Sequence, residues 1–207
     1  MNVLLSTAYW PNLHYFYYVL NADVVSIEQF ENYQKQSFRN RTQILTANGP
    51  LDLSIPVKKN GLKALVKDVE ICYKENWHIK HWRAITSAYK NSPYFDYFED
   101  EIKYFYENKF DLLLGYNLKQ MQLVLKLLKV KKEILLTSSY EKEDAGAINL
   151  RESIHPKIAL KDDTAAYETL SRPYYQTFSG KFDFSPNPGI LDLLFNKGLD
   201  TLDYLQK

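Results

Sequence analysis

The sequence predicts an α/β fold in a single domain over residues 1–207, with a mixed β-sheet, and three observations predict it. The chain opens on an apolar run, an aromatic-rich segment and a second apolar run, the order of a βαβ unit. Asn48-Gly49 stands between two strand-like segments as a hairpin signal. The middle of the chain repeats apolar residues three and four apart, the spacing of amphipathic helices.

Taken in order, Val3-Leu4-Leu5 reads as a buried first strand and Tyr9-Trp10-Pro11-Asn12 as the turn after it. Leu13 to Ala22 reads as helix, and Val24-Val25-Ser26-Ile27 as a second strand. Gln43-Ile44-Leu45-Thr46 and Leu51 to Val57 flank Asn48-Gly49-Pro50, where Asn-Gly supplies the positive φ of a tight turn. Lys58-Lys59-Asn60-Gly61 reads as a polar turn and the alternating Val66 to Ile71 as a further strand. Asn76 is placed to cap a helix running through His81, Ile85 and Tyr89, which ends at Ser92 because the residue before a proline disfavours the α conformation. Tyr94 to Phe110 and Asn117 to Leu128 read as helices, Glu133 to Thr137 as a strand, and Glu141 to Ala166 as loop with short helical pieces. Phe182 to Phe184 reads as a last short strand, and Pro188-Gly189 opens a closing helix that stops near Gly198.

Composition excludes several function classes. Twenty-six Lys and Arg against 25 Asp and Glu leave no global field to recruit nucleic acid or an anionic membrane. The single cysteine, Cys72, rules out an internal disulfide and a multi-cysteine metal cluster, and reads as a buried structural thiol in a reducing compartment. The first residues lack the basic leader and apolar core of a signal peptide. Met121 to Val130 falls far short of the roughly 20 apolar residues a membrane span needs. A cytoplasmic protein without membrane insertion is expected.

Seven Lys or Arg and one acid, Asp52, lie between Asn32 and Lys67, a local basic excess in a near-neutral chain. Within it, Arg39 and Arg41 are two apart and share one face of an extended backbone, where guanidinium forks grip phosphate or carboxylate. The alternative is a solvated strand end, or salt bridges to the acidic stretch Asp96 to Glu101. Trp77, Lys80 and His81 occupy one helical face. His81 is a candidate acid or base, or else a core histidine bonded to a backbone carbonyl. The pair His78 and His81 lacks a recognised metal spacing, so no metal is assigned. Pro11 followed by His14 partly resembles the turn of HIGH-type nucleotidyltransferases, but the second histidine is absent. There is no Walker sequence, Gly-rich phosphate loop or Gly-x-Ser-x-Gly elbow, and no cofactor is assigned. Tyr15 to Tyr18 and Tyr104 to Tyr106 read as core aromatics, and Asp192 as a surface or capping carboxylate.

Tyr9-Trp10-Pro11, the Tyr33 to Arg41 segment with Arg-Asn-Arg, and Ser54-Ile55-Pro56-Val57 resemble the WbqC-like family in content and order. So do Trp77, His81-Trp82, Ala88-Tyr89, Ser92-Pro93-Tyr94-Phe95, Pro186-Asn187 and Ile190 to Asn196, which extends the resemblance over nearly the whole chain. The resemblance implies a bacterial protein of surface-polysaccharide (O-antigen or amino-sugar) biosynthesis. It places Tyr33, Lys35, Gln36, Arg39, Asn40, Arg41, Trp77 and His81 on family motif positions. It also implies no catalytic role for His14, where the family commonly carries glycine. The expectation is therefore an enzyme that binds a phosphorylated or nucleotide-linked sugar. Lys35, Arg39 and Arg41 would hold phosphate, Gln36 and Asn40 would orient the acceptor, and His81 would be acid or base in acyl or aminoacyl transfer to a sugar amine. Nucleotidyl transfer and a non-catalytic module binding a sugar nucleotide or a partner enzyme are the alternatives. The oligomeric state is not assigned.

Overall fold

Four parallel strands carry the molecule in the computed structural model, which describes residues 1–58, 64–140, 142 and 146–206. They are β1 (Asn2–Ser6), β2 (Val24–Glu28), β5 (Ile134–Leu136) and β6 (Ile148–Asn149), in the order β5-β2-β1-β6. Val3, Leu4 and Leu5 are all buried because β1 is flanked on both sides, with Val3 opposite Val25 and Leu5 opposite Ile27. Helix α1 (Leu13–Asn21) makes the crossover from β1 to β2. Its cap is Asn12, whose side chain accepts from the Tyr15 N–H.

β3 (Arg41–Thr46) and β4 (Gly49–Ser54) form the expected hairpin, with Gly49 at φ 102° in the turn. They make a separate antiparallel sheet rather than joining the parallel one, so the mixed architecture is divided between two sheets. Helices α2 (Trp77–Tyr89), α3 (Phe95–Glu107) and α4 (Leu113–Leu127) fill the middle, as the helical spacing requires. Asn76 precedes α2 in a left-handed conformation and does not cap it through its side chain. The chain closes with α5 (Thr164–Leu170), α6 (Ile190–Lys197) and α7 (Thr201–Leu205).

Two expected strands are absent. Residues 66–68 form one 3-10 turn, because Val66 and Val69 are both buried and three apart, a spacing that a 3-10 turn aligns and a strand does not. Phe182 to Phe184 has no strand partner, and Phe182 is exposed. The turn at Lys58 to Gly61 lies mostly outside the described residues, as does part of Glu141 to Ala166. Cys72 is half-buried rather than sealed in the core. Among the described residues no helix is long and apolar enough to cross a membrane.

One hydrophobic core runs from Val3 to Leu205, with Trp10, Tyr9, Tyr89 and Tyr116 among its largest sealed side chains. Pro188-Gly189 threads between the turn after β1 and the hairpin. The Gly189 N–H donates to the Gln43 carbonyl at 2.8 Å, and the Ile190 N–H donates to the Pro11 carbonyl at 2.8 Å. A β-carbon at Gly189 would stand 2.5 Å from Thr42 Oγ1 and 2.8 Å from the Gln43 carbonyl oxygen. Gly189→Ala is therefore expected to destabilise the protein by about 1–3 kcal/mol, read from urea denaturation midpoints. An unchanged midpoint would show that the backbone yields freely there.

Candidate functional site

The carboxyl ends of parallel strands are where α/β folds build their sites. Here that edge is closed by charge. Glu28, at the end of β2, is fully buried. Its Oε1 accepts from the Phe30 N–H at 2.7 Å and from Thr137 Oγ1 at 2.9 Å, and its Oε2 accepts from Arg151 Nη1 at 3.2 Å. Arg151 also donates through Nε to Asn149 Oδ1 at 3.0 Å and through Nη2 to the Lys142 carbonyl at 3.0 Å. Beside this pair, Glu31 receives a two-pronged Arg39 fork, Nε to Oε1 at 2.8 Å and Nη2 to Oε2 at 2.7 Å. Ser6 at the end of β1 completes it, donating to Glu31 at 3.2 Å and accepting from Arg39 at 2.8 Å.

Two clefts open at this edge, walled by the same two segments, residues 32–41 and 151–158. The wider, about 520 Å³, presents Asn32, Gln34, Asn149 and Glu152 with the Tyr140 ring. The narrower, about 270 Å³, presents Asn12, His14, Arg41, Gln43, His155 and Asn187. A small cavity lined by Phe38, Arg39, Arg151 and Ile154 touches residues of both. The start of α1 offers this edge no free N–H groups. Leu13 donates to the Pro188 carbonyl, His14 to Asn187 Oδ1 and Tyr15 to Asn12 Oδ1. Any anion is thus met by side chains.

The predicted site residues separate into three groups: Arg41 with the exposed Lys35 and Gln36, the packed Tyr33, Arg39 and Asn40, and the core pair Trp77 and His81. Arg41 reaches the narrower cleft, where a 3.3 Å contact from Nη1 to Asp52 is the one side-chain hydrogen bond it makes among the described residues, and its Nε has no partner there. Lys35 and Gln36 are exposed, Gln36 at φ 56°, and neither lines either cleft. Tyr33 is half-buried, its N–H on the Ala64 carbonyl and its hydroxyl pushed up to about 12 by burial. Arg39 and Asn40 are structural. Arg39 is 2% exposed and committed to Glu31 and Ser6, which corrects the phosphate-holding role expected of it. Asn40 donates to the Ile55 carbonyl at 2.8 Å, which occupies the amide expected to orient an acceptor. The partners of Arg39 and Arg41 are Glu31 and Asp52, not the Asp96 to Glu101 stretch.

Trp77 and His81 form the third group, and neither lines either cleft. Trp77 is buried, with its ring edge-on to His81 at 5.1 Å between centroids. His81 is 6% exposed; its Nδ1 lies 2.9 Å from the Tyr9 hydroxyl, and the ring also bonds the Ser54 carbonyl. Tyr9 and Trp10 Nε1 both reach the Tyr106 hydroxyl, at 2.9 and 2.8 Å, so His81 belongs to a polar chain inside an aromatic core. Burial lowers its pKa to about 4, and a neutral, enclosed imidazole replaces the near-neutral acid–base expected of it. Arg39, Arg41 and His81 therefore do not form one site.

Asp192 is also corrected. It is fully buried in α6, accepting from Tyr174 Oη at 2.6 Å and Tyr89 Oη at 3.1 Å. The site residues that sequence reasoning missed are Glu28, Glu31, Arg151, His155 and Asn187. The one legible signal was a charge ending a strand, at Ile27-Glu28, together with the Pro186-Asn187 pair already noted.

Residues 7–161 match the WbqC-like protein family. A relative from Mycobacterium tuberculosis, "Uncharacterized protein Rv1507c", is 24% identical over 225 aligned positions that cover 98% of this chain and 96% of the relative. No solved structure matches the chain. Two of the segments that carry the family resemblance are tied to residues beside the narrower cleft: Thr42 Oγ1 donates to the Trp10 carbonyl at 2.8 Å, and Asn187 accepts from the His14 N–H at 2.8 Å.

Proposed function

We propose, starting from the fact that this chain belongs to the WbqC-like protein family, that it binds a phosphorylated or nucleotide-linked sugar in the paired clefts. It would serve a cytoplasmic step of surface-polysaccharide biosynthesis, a context taken from the family resemblance. The observation that supports the ligand class is Arg41. Its guanidinium has five donors, it makes one long contact, to Asp52, among the described residues, and it lines a polar cleft. A phosphate or carboxylate there supplies the missing acceptors. The wider cleft suits a sugar, because the Asn32 amide matches hydroxyl groups and the exposed Tyr140 ring, with Arg151 over one face, offers apolar surface; the Gln34 and Asn149 amides already donate to Glu152 and the Lys142 carbonyl. The reaction this fits first is acyl or aminoacyl transfer to a sugar amine.

A thermal-shift series with nucleotides, nucleotide-linked sugars, acyl donors and inorganic phosphate tests the reading. A ligand at one hundred times its Kd adds about 2.7 kcal/mol, or roughly 5–10 °C for a chain of this size. A nucleotide-linked sugar is expected to give such a shift in the native protein and none in Arg41→Ala. No shift with any of these anions, or an equal shift in both proteins, would sink the proposal.

A further inference from the structure

Two buried histidines in this chain are arranged differently. His81 has partners on both sides, the Tyr9 hydroxyl and the Ser54 carbonyl, as a core histidine must. His14, on the first turn of α1, is 5% exposed and among the described residues has a side-chain hydrogen-bond partner on one side only. Its Nε2 lies 2.8 Å from Asp163 Oδ2, which also accepts from the Tyr18 hydroxyl at 2.6 Å. Asp163 Oδ1 accepts from the Ala166 N–H at 3.1 Å, so the carboxylate is fixed as the cap of α5. The Tyr18 ring lies against the imidazole, with centroids 5.6 Å apart, and the His14 backbone N–H is held by Asn187.

The protonation states follow from these partners. Burial works to raise the Asp163 pKa, but the bonds from Tyr18, His14 and the Ala166 N–H outweigh it, and Asp163 stays below the usual carboxylate range. Burial also lowers the His14 pKa against the opposing pull of Asp163. A neutral imidazole beside an ionised carboxylate places its hydrogen on Nε2 and its lone pair on Nδ1. Among the described residues Nδ1 makes no hydrogen bond, it is not among the polar atoms sealed from solvent, and His14 lines the narrower cleft.

Across that cleft stand Arg41, Asp52 and His155. His155 Nδ1 accepts from the Lys157 N–H at 3.2 Å, so neutral His155 carries its hydrogen on Nε2 as a donor. The cleft thus sets Arg41 and His155, as donors for an anion, opposite a basic acceptor, His14 Nδ1, that has no donor among the described residues. We propose that His14, oriented by Asp163, is the proton acceptor of this cleft, and that its Nδ1 receives the hydrogen of a hydroxyl or amine on a ligand whose anionic group lies against Arg41. In the acyl transfer proposed above, its oxygen or nitrogen bonds the carbonyl carbon of the acyl donor, the donor's leaving group departs with the electron pair of the broken acyl bond, and one proton passes from the O–H or N–H to Nδ1. The imidazolium is held by Asp163 and returns the proton to water on release. The inference rests on the reading of the clefts given above.

Two measurements on the full chain test it. The first is ¹⁵N NMR of the histidines at neutral pH, which is expected to show His14 as the neutral Nε2–H tautomer; an Nδ1–H tautomer or an imidazolium would overturn the inference with no ligand involved. The second is calorimetric titration with glucosamine 1-phosphate and with inorganic phosphate. His14→Phe is expected to bind the sugar phosphate about tenfold more weakly and inorganic phosphate within about twofold of native, the difference one hydrogen bond makes. Equal sugar-phosphate affinity in native and His14→Phe protein would overturn the acceptor while leaving the cleft reading intact. No binding of either probe to native protein would overturn the cleft reading and the acceptor with it.

Discussion

Arg39→Ala is expected to destabilise the protein by about 3–5 kcal/mol, because it leaves the Glu31 carboxylate buried without its counter-charge. In a chain of 207 residues that lowers the melting temperature on the order of 10 °C. The loss arises where β1, the Arg39 segment and the carboxyl edge of β2 meet, so ligand binding would fall as a consequence of unfolding and not of a missing phosphate contact. The double variant Glu31→Leu with Arg39→Met removes both charges and is expected to recover most of the loss, since apolar groups of similar volume often replace a buried pair at little net cost. Urea denaturation of native, single and double variants checks this. A single variant as stable as native, with only ligand binding impaired, would return Arg39 to the binding role that its sequence position suggested.

Acid acts on two buried groups in opposite directions. His81 in the unfolded chain takes up its proton near 6.5, whereas the folded protein holds it off until about 4. Between those values the unfolded chain binds more protons, so stability falls as pH falls, by about 3 kcal/mol in total. Asp192 runs the other way. Burial outweighs the bonds from Tyr174, Tyr89 and Gln176 and raises its carboxyl from 3.8 to about 6, so the folded protein binds the extra proton and gains stability as pH falls through that window, again by about 3 kcal/mol. The two contributions nearly cancel in the native protein. Asp192→Asn removes the gain and leaves the His81 loss exposed, so its stability is expected to drop about 3 kcal/mol further than native between neutral pH and pH ~4. Parallel stability–pH curves for the two proteins would contradict that assignment.

Elements governed by local pattern were legible in the sequence. The apolar run Val3 to Leu5, the aromatic helix after Pro11, the Asn48-Gly49 turn and the helical middle each follow from residues within one turn or one strand of each other. The short strand Ile148–Asn149 and helices α5 and α7 were not read, because each is held by distant packing more than by its own periodicity. The site was legible only in part for the same reason. Glu28 looks like an ordinary charge ending a strand until Arg151, 123 residues later, is set against it. Asp192 looks like a surface carboxylate because its donors, Tyr89 and Tyr174, lie 103 and 18 residues away. Arg39 and Arg41 share a sequence motif yet part company in space, one paired in the interior and one open to a cleft, and nothing within the motif distinguishes them.

The bond between the His14 N–H and Asn187 joins residues 173 positions apart, and the Gly189 N–H bonds back to Gln43 across a similar gap. The narrower cleft is thus closed by a segment that follows β1 and β2 by about 160 residues. Contacts of such long range make a fold slow to nucleate, because loop entropy is lost before they repay it. During synthesis the parallel strands β1 and β2 can pair early, but the binding wall must wait until the region around Pro188 has emerged. A chain that stops short of Pro188 therefore carries His14, Arg41 and His155 without the cleft that they line.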